Sequence, residues 1–442
     1  MSAHSGGHDP ALAIDEHRAR IEAALPRLAP VELPLERCRG LVLAAPVRAR
    51  VPVPAFTNSA MDGFAVRAAD LVSGADGVVD LPVAGDVPAG DSRANVLAPG
   101  TAWRIMTGAP LPMGADTVVR VERTDHGPGI AIPPSRVRIL NPVAAGADVR
   151  CRGEAIDEGA LVLPEGARLG AGALAAVAAA GVGSLLVRRR PRIVVVATGS
   201  ELVAPGEPLG PGRIPDSNGP MLAALVEESG AEVVARLTVR DDPAALLRLL
   251  ASAPEADLIL TAGGISQGAY EVVRLAIGGH GDFHHVAQQP GGPQGIGVLP
   301  LGPSRLPVPA LCLPGNPVSV FVSFHVYVAG ALEAMAGLRP DASGATAPLL
   351  VPGVAAAAWS SPARKTQFVP ARAVAADEGA LEVAPVHVLG SGSHLATALA
   401  SASHLALVPE DIDRVASGDL LDLIPVLRNA PSAPATRRRE AP

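Results

Sequence analysis

Three polar loops in this 442-residue chain carry the residue types that phosphate and oxyanion chemistry needs. The stretch ATGSEL brings Thr198, Gly199, Ser200 and Glu201; TAGGISQGAYE brings Gly263, Gly264, Ser266, Gly268 and Glu271; LPGNPVS brings Pro314, Gly315, Asn316 and Ser319. Glycines let a phosphate approach the backbone closely, and hydroxyls and free N–H groups at a helix start add donors. Glu201, Asp241 and Glu271 are the carboxylates able to hold Mg²⁺ or to shape an oxyanion site. Each fragment alone is weak, since a Gly-Gly pair after a strand is ordinarily a turn and an acid before Pro is ordinarily a cap, as Asp242-Pro243 is expected to be.

The elements around these loops explain how the loops would meet. From Arg192 to Leu338 the pattern alternates: strand Ile193–Ala197, helix near Pro220–Ser229, strand Val233–Val239, helix Pro243–Ser252, strand Leu258–Thr261, helix near Tyr270–Ile277. A buried strand Ala310–Leu313 and a long apolar helix from about Val318 to Ala336 follow. Repeated β-α units predict a parallel sheet covered by helices, with ligands at the carboxyl ends of the strands, where all three loops lie.

Before this region, Asp9-Pro10 and the segment ALAIDEHRARIEAAL predict a capped first helix. Short apolar runs broken by Gly, Pro and Asp from about Val51 to Pro142 predict a β-rich insert, and the helical pattern returns at Gly170–Val182. The expected organisation is α/β multidomain: a split helical and extended domain at 10–50 and 148–190, a β-rich insert at 51–147, a parallel-sheet α/β domain at 191–338, a C-terminal β domain at 346–428 and a disordered tail at 429–442.

Composition narrows the function classes. A net charge of −7 opposes general nucleic-acid binding, which requires a basic surface. The three cysteines, Cys38, Cys151 and Cys312, are widely spaced and form no CxxC pair, so neither a disulfide framework nor a zinc knuckle is expected. The N-terminus lacks a signal-peptide pattern and no uninterrupted apolar run reaches the length of a span, so a cytoplasmic protein with no membrane association is expected.

From about residue 10 to residue 427 the chain resembles the MoeA/gephyrin E-domain family of molybdopterin molybdenumtransferases. The ordered blocks PAFTNSAMDGFAVRAADL, RIMTGAPLPMGADTVVRVE, VRCRGEAIDEG, ATGSEL, GRIPDSN, VRDDP, GGISQGAYEVVR, QQPGGPQG and LPGNPVSVFVSF carry the resemblance. It implies a molybdopterin-binding α/β domain and an enzyme that takes adenylylated molybdopterin and molybdate, cleaves the adenylate with Mg²⁺, and releases AMP. It implies catalytic roles for Asp62, Thr107, Glu201, Asp241 and Glu271, with Glu201, Asp241 and Glu271 near metal. Thr198, Gly199, Ser200, Asp216, Ser217, Asn218, Gly263, Gly264, Ser266, Gly268, Pro314, Gly315, Asn316, Ser319 and Lys365 would line the cofactor site. It also implies a homodimer in which Asp62 and Thr107 reach the partner's site, and contact with a molybdopterin adenylyltransferase and with apo-molybdoenzymes.

Six positions depart from the family pattern. Ala155 stands where a carboxylate is usual, and Glu271 where Asp is usual. Gln289 and Gly292 replace lysines in the QQPGGP loop, leaving His285 as a cation there only when protonated. In SPARKTQF, Arg364 stands where Gly is usual and Lys365 takes the position of a family arginine, and a solvated charged pair explains those two residues equally well. An active molybdenum-insertion enzyme, a paralogue that binds without turnover, an interaction scaffold and a tungstate-inserting variant all remain compatible with the sequence.

Overall fold

The computed structural model describes residues 11–72, 77–129, 132–265, 271–338, 347–374, 381–387, 392 and 395–426. Contacts divide the chain into two compact units, one of residues 1–31, 40–44 and 187–442, the other of residues 32–39 and 45–186.

The first unit is built on six strands, β1 (Arg192–Thr198), β2 (Glu232–Val239), β3 (Leu258–Ala262), β4 (Gly281–His285), β5 (Pro293–Leu301) and β6 (Leu306–Leu313). Their order in the sheet is β2-β1-β3-β6-β5-β4. The first four in that order are parallel, as the alternating pattern predicts. The last two are antiparallel, so the sheet is mixed. Pro and Gly scattered through residues 281–301 hide this edge from a periodicity argument.

Strand β1 sits inside the sheet and shows why a near-continuous apolar run was needed. Ile193 and Val195 face one core with Leu258 and Leu260, while Val194 and Val196 face the other with Ile259. Helices on both faces bury both sets, the usual state of a parallel strand.

The helices of this unit are α1 (Ile14–Ala24), α2 (Asn218–Glu228), α3 (Pro243–Ser252), α4 (Val272–Ile277) and α5 (Pro317–Met335). Helix α3 begins as predicted, with the Asp242 carboxylate accepting from the Ala244 N–H at 2.9 Å and Pro243 in the first turn. Helix α1 starts later than expected. Leu12 is extended and pairs with the 285–287 segment, its N–H donating to the His285 carbonyl at 2.7 Å, and Ala13 caps the helix without a side-chain bond. Asp9 and Pro10, the predicted cap, lie outside the described residues. Helix α5 is by length and composition the one described helix able to cross a membrane, but 83% of its most apolar window is buried inside the protein, where it serves as the core.

One face of α1 is fastened by imidazoles. His17, 1% exposed, shares a 2.9 Å hydrogen bond with His284 of β4 and meets Tyr327 of α5 edge-on at 4.6 Å. Arg18, Arg20 and Asp282 are the charged groups acting on this ring, and Arg20 bonds Asp282 at 2.5 Å. Burial, then His284, pushes the His17 pKa down to about 3; burial likewise pushes His325 on α5 down to about 4. Both rings fold neutral. Between the unfolded value near 6.5 and these lowered values the unfolded chain binds protons that the folded chain refuses, so stability falls as pH falls across that window. The expected slope is about 1.4 kcal/mol per pH unit for each ring, and neither contributes above the unfolded value. Urea melts from pH 7.5 to 5 should show it, and His17→Asn and His325→Asn should each flatten it; parent-like slopes in both variants would refute the assignment.

The C-terminal part of the first unit places strands Val351–Ala355, Thr366–Ala373, Glu382–Pro385, His404–Val408 and Leu420–Pro425 in one sheet, and pairing of 366–373 with 404–408 closes it into a small barrel. Val369, Ala371, Val383, Ala406 and Leu423 fill its interior. Phe368, Leu405 and Ile424 alternate outward and join the core around α5.

The second unit centres on a five-stranded sheet in the order Thr117–Arg120, Gly63–Val66, Ala102–Ile105, Val79–Val87, Arg136–Ile139. Gly63 is required by close approach: a Cβ there would stand 2.1 Å from the Val119 carbonyl oxygen and 2.9 Å from the Arg120 Cα. The NSAMDG segment therefore enters the sheet through its glycine.

Candidate functional site

The carboxyl ends of β1, β3 and β6 open onto one cavity of about 420 Å³ in the first unit. Thr198, Gly199 and Glu201 from the first loop, Gly263, Gly264 and Glu271 from the second, and Gly315 and Asn316 from the third all line it, with Ser217, Asn218 and Asp241 completing the wall. The three loops proposed from sequence thus converge.

Their positions follow from local bonds. Gly263 adopts φ +91° and donates to the Leu313 and Pro314 carbonyls at 3.1 and 3.2 Å, tying the β3 loop to the β6 loop. A Cβ there would fall 2.8 Å from the Thr198 carbonyl oxygen, so the cradle floor is bare backbone by steric necessity. The β1 loop is locked to the β2 loop by a reciprocal pair: the Ser200 N–H donates to Asp241 Oδ2 at 2.9 Å, and the Asp241 N–H donates to Ser200 Oγ at 3.1 Å. The Arg213 guanidinium donates to the Ser200 carbonyl, and Leu202–Val203 pairs with Ile214–Pro215 beside it. Ser200 therefore acts on the site through Asp241 instead of facing the cavity.

Asn218 is the most informative polar group. Its amide donates to the Gly315 carbonyl at 2.7 Å, while its buried Oδ1 has no hydrogen-bond partner among the described residues. A buried acceptor left so next to a cavity suits a ligand that brings its own donor.

Other predicted residues have different work. Asp216 is 3% exposed; it accepts from the Gly219 N–H at 2.9 Å and from the Thr238 hydroxyl at 3.3 Å, fixing the start of α2, and does not line the cavity. The spacing Asp216–Gly219 just before an apolar helix was the available sign of a cap. Pro314 and Ser319 are buried beside the cavity without lining it. Ser266 and Gly268 lie outside the described residues. Among the described residues, no three His, Cys, Asp or Glu side chains come together as a metal-binding group; Glu201, Asp241 and Glu271 line one cavity.

In the second unit, Asp62 Oδ1 accepts from both the N–H and the hydroxyl of Thr107, each at 2.7 Å. The Thr107 hydroxyl and then its N–H hold the Asp62 carboxyl below the usual carboxylate range. Both side chains stay exposed, and Asp62 borders a small recess of about 70 Å³ with Phe64 and Arg104. Ala155 sits in a turn, its N–H bonded to the Val53 carbonyl at 2.9 Å.

The QQPGGP loop does not line the strand-end cavity. Two buried amides that the sequence did not single out hold it. Gln288 Nε2 donates to the Pro290 and Gly291 carbonyls at 2.9 and 3.1 Å, and Gln294 Nε2 donates to the Gly291 carbonyl and to Ser323 Oγ, both at 2.7 Å. The Tyr327 hydroxyl donates to Gln288 Oε1. Burial, then the charge of Lys365, lowers the pKa of His285, so the ring is neutral at physiological pH and adds no cation to the loop. Lys365 lies near this loop and not in the strand-end cavity.

Comparison with known proteins matches three family models along the chain: the MoeA N-terminal region (domain I and II) over residues 12–181, the probable molybdopterin binding domain over 194–334, and the MoeA C-terminal region (domain IV) over 352–426. Molybdopterin molybdenumtransferase 2 of Mycobacterium tuberculosis is 41% identical over 425 residues, covering 93% of this chain and 98% of that protein. The molybdopterin molybdenumtransferase of a Nostoc species is 38% identical over 304 residues, 68% of each chain. Among solved structures, a molybdopterin biosynthesis MoeA protein from Pyrococcus horikoshii superposes with a TM-score of 0.74 at 28% identity, over 94% of this chain and 99% of that one.

Proposed function

The chain belongs to the MoeA family of molybdenum-cofactor biosynthesis proteins, and from that premise we propose that its strand-end cavity binds adenylylated molybdopterin, with molybdate as the second substrate and AMP as a product. The observation that carries the assignment is the convergence of three glycine-bearing loops and three carboxylates on a single cavity.

Backbone at Gly263, Gly264 and Gly315 can approach phosphate oxygens where side chains would exclude them. Asn218 Oδ1 accepts from a ligand N–H or O–H, and the Asp241–Ser200 pair keeps the β1 and β2 loops from moving apart as the phosphate is bound. The hard oxygen donors fit Mg²⁺, which commonly takes one or two carboxylates and completes its shell with phosphate oxygens and water. Glu201 and Asp241 are the residues that would hold it, and its contribution would be to neutralise charge at the phosphate being cleaved. The arrangement supports shared coordination with substrate in place of a closed protein cage.

Asp62 and Thr107 enter the same proposal as groups supplied by the second copy of a homodimer. The Thr107 hydroxyl and N–H keep Asp62 ionised and aimed. A cytoplasmic setting, with a molybdopterin adenylyltransferase upstream and apo-molybdoenzymes downstream, completes the reading. The binding-only alternative draws on one specific feature, the neutral His285 beside a loop whose Gln289 and Gly292 bring no charge.

Purified protein given molybdopterin-adenylate, molybdate and Mg²⁺ should release AMP and activate an apo-molybdoenzyme. Asp62→Ala and Glu201→Ala homodimers should each be nearly inactive, while an equal mixture allowed to exchange subunits should recover about one quarter of parent activity, because half the dimers then hold one intact site of two. AMP binding without release or insertion would select the binding-only paralogue. Full activity from a strict monomer would remove the shared-site proposal.

A further inference from the structure

We infer that a groove running along α2 is the subsite for the pterin ring system of the substrate, with Glu228 as the group that reads the amino edge of that ring. The inference rests on the molybdopterin-adenylate assignment above and extends it to a second cavity. That cavity, about 320 Å³, is walled by Met221, Ala224 and Glu228 of α2, Phe321 of α5, and Leu399 and Ala400 of the C-terminal region.

Continuity with the strand-end cavity is the first argument. Ser217 and Pro317, at the starts of α2 and α5, belong to the walls of both cavities. From Ser217 to Glu228 the helix advances about 16 Å at roughly 1.5 Å per residue. A substrate made of two heterocycles joined through a pyrophosphate linkage has the length to place one end in each cavity.

Chemical contrast is the second. The strand-end cavity offers glycine backbone and carboxylates, which suit phosphates and metal. The groove offers aliphatic and aromatic surface with a single carboxylate at one end, and its small residues Ala224 and Ala400, both exposed, leave a slot between helix and barrel. A flat ring fits such a slot, and Phe321 supplies an aromatic surface to it.

Glu228 then decides which ring. The pyrimidine part of a pterin presents an amino group beside a ring N–H, two parallel donors that match the two oxygens of a carboxylate. Adenine presents a donor beside an acceptor on its corresponding edge, so a carboxylate meets one matched and one repelling atom. The groove therefore favours the pterin end, leaving the adenylate to the strand-end cavity. Burial pushes the Glu228 carboxyl up, a shift that a bound donor pair would reverse.

The test measures the affinities of AMP and of molybdopterin-adenylate separately, by calorimetry, for the parent dimer and for Ala224→Trp, Ala400→Trp and Glu228→Gln. Both tryptophans replace exposed alanines, so melting temperatures should stay at the parent value. Each should weaken molybdopterin-adenylate by about tenfold or more while leaving AMP affinity unchanged. Glu228→Gln should raise KM for molybdopterin-adenylate by about tenfold with kcat retained, as expected for a binding contact kept through the reaction. Parent-like affinity in both tryptophan variants would overturn the inference, as would an equal loss for AMP. A change in oligomeric state with ligand affinity intact would mark the groove as a protein contact and would also overturn it. If the parent binds AMP and molybdopterin-adenylate equally, the subsite fails alone; if it binds neither, the functional assignment fails and the subsite with it.

Discussion

Asp241→Ala should slow AMP release by about two to three orders of magnitude, the cost typical of removing one preorganised charged group from a reacting centre. Two losses combine in this variant. The carboxylate disappears from the cavity wall, and the Ser200 N–H loses its acceptor at 2.9 Å, freeing the β1 loop that carries Glu201. Asp241→Asn separates the two, because its amide oxygen still accepts from Ser200 while the charge is gone. If metal and phosphate act through the charge, Asn should be nearly as slow as Ala and should need more Mg²⁺ for half-maximal rate. Ser200→Ala keeps the charge but removes the acceptor of the Asp241 N–H at 3.1 Å, and should cost no more than about tenfold. An Asp241→Asn enzyme with parent rate and parent Mg²⁺ dependence would remove Asp241 from the metal assignment and leave it a loop tie.

The pattern of what could be read from sequence has a physical origin. Strands β1, β2 and β3 and helix α3 were legible because burial on two faces imposes a continuous apolar run and because a cap followed by proline marks a helix start. Convergence of the loops followed from topology, since parallel strands bring their carboxyl ends to one edge. Strands β4 and β5 were not legible, because their glycines are set by neighbours far away in the chain: a Cβ at Gly295 would stand 2.5 Å from Phe283, and one at Gly297 would stand 2.8 Å from Ile277. The His17–His284 bond spans 267 positions and the Gln288–Tyr327 bond spans 39, and no local pattern announces either. Motif position alone does not distinguish a ligand-contacting residue from one that holds the helix start beside it, which is what Asp216 does through the Gly219 N–H. For a related reason sequence does not settle a metal set: Glu201, Asp241 and Glu271 share a cavity wall, and among the described residues no three acidic or imidazole side chains meet at a common point.

Gln289→Lys should lower the molybdate concentration needed for half-maximal insertion by about ten- to a hundredfold, if the QQPGGP loop captures the dianion as its family resemblance implies. The magnitude corresponds to about 1–3 kcal/mol for one charge-assisted contact at a partly desolvated site. Structure separates the two positions, Gln289 and Gly292, at which a lysine could be restored. Gln289 is exposed and registers against Gln367, so a lysine there can extend beside Lys365 without disturbing the buried Gln288 and Gln294 amides. Gly292 does not need a left-handed backbone, but a Cβ on it would lie 2.4 Å from His285 Nε2, so Gly292→Lys must displace that ring and should melt earlier than the parent. Because the gain at 289 is electrostatic and near the surface, it should shrink in salt near 1 M, where the screening length falls to about 3 Å. Raising the pH should not mimic the loss of a histidine cation, since burial and Lys365 already keep His285 neutral. Unchanged molybdate dependence in Gln289→Lys at low salt, with melting temperature and AMP affinity intact, would show that the anion is captured elsewhere and that the loop serves only to join the α/β sheet to the barrel.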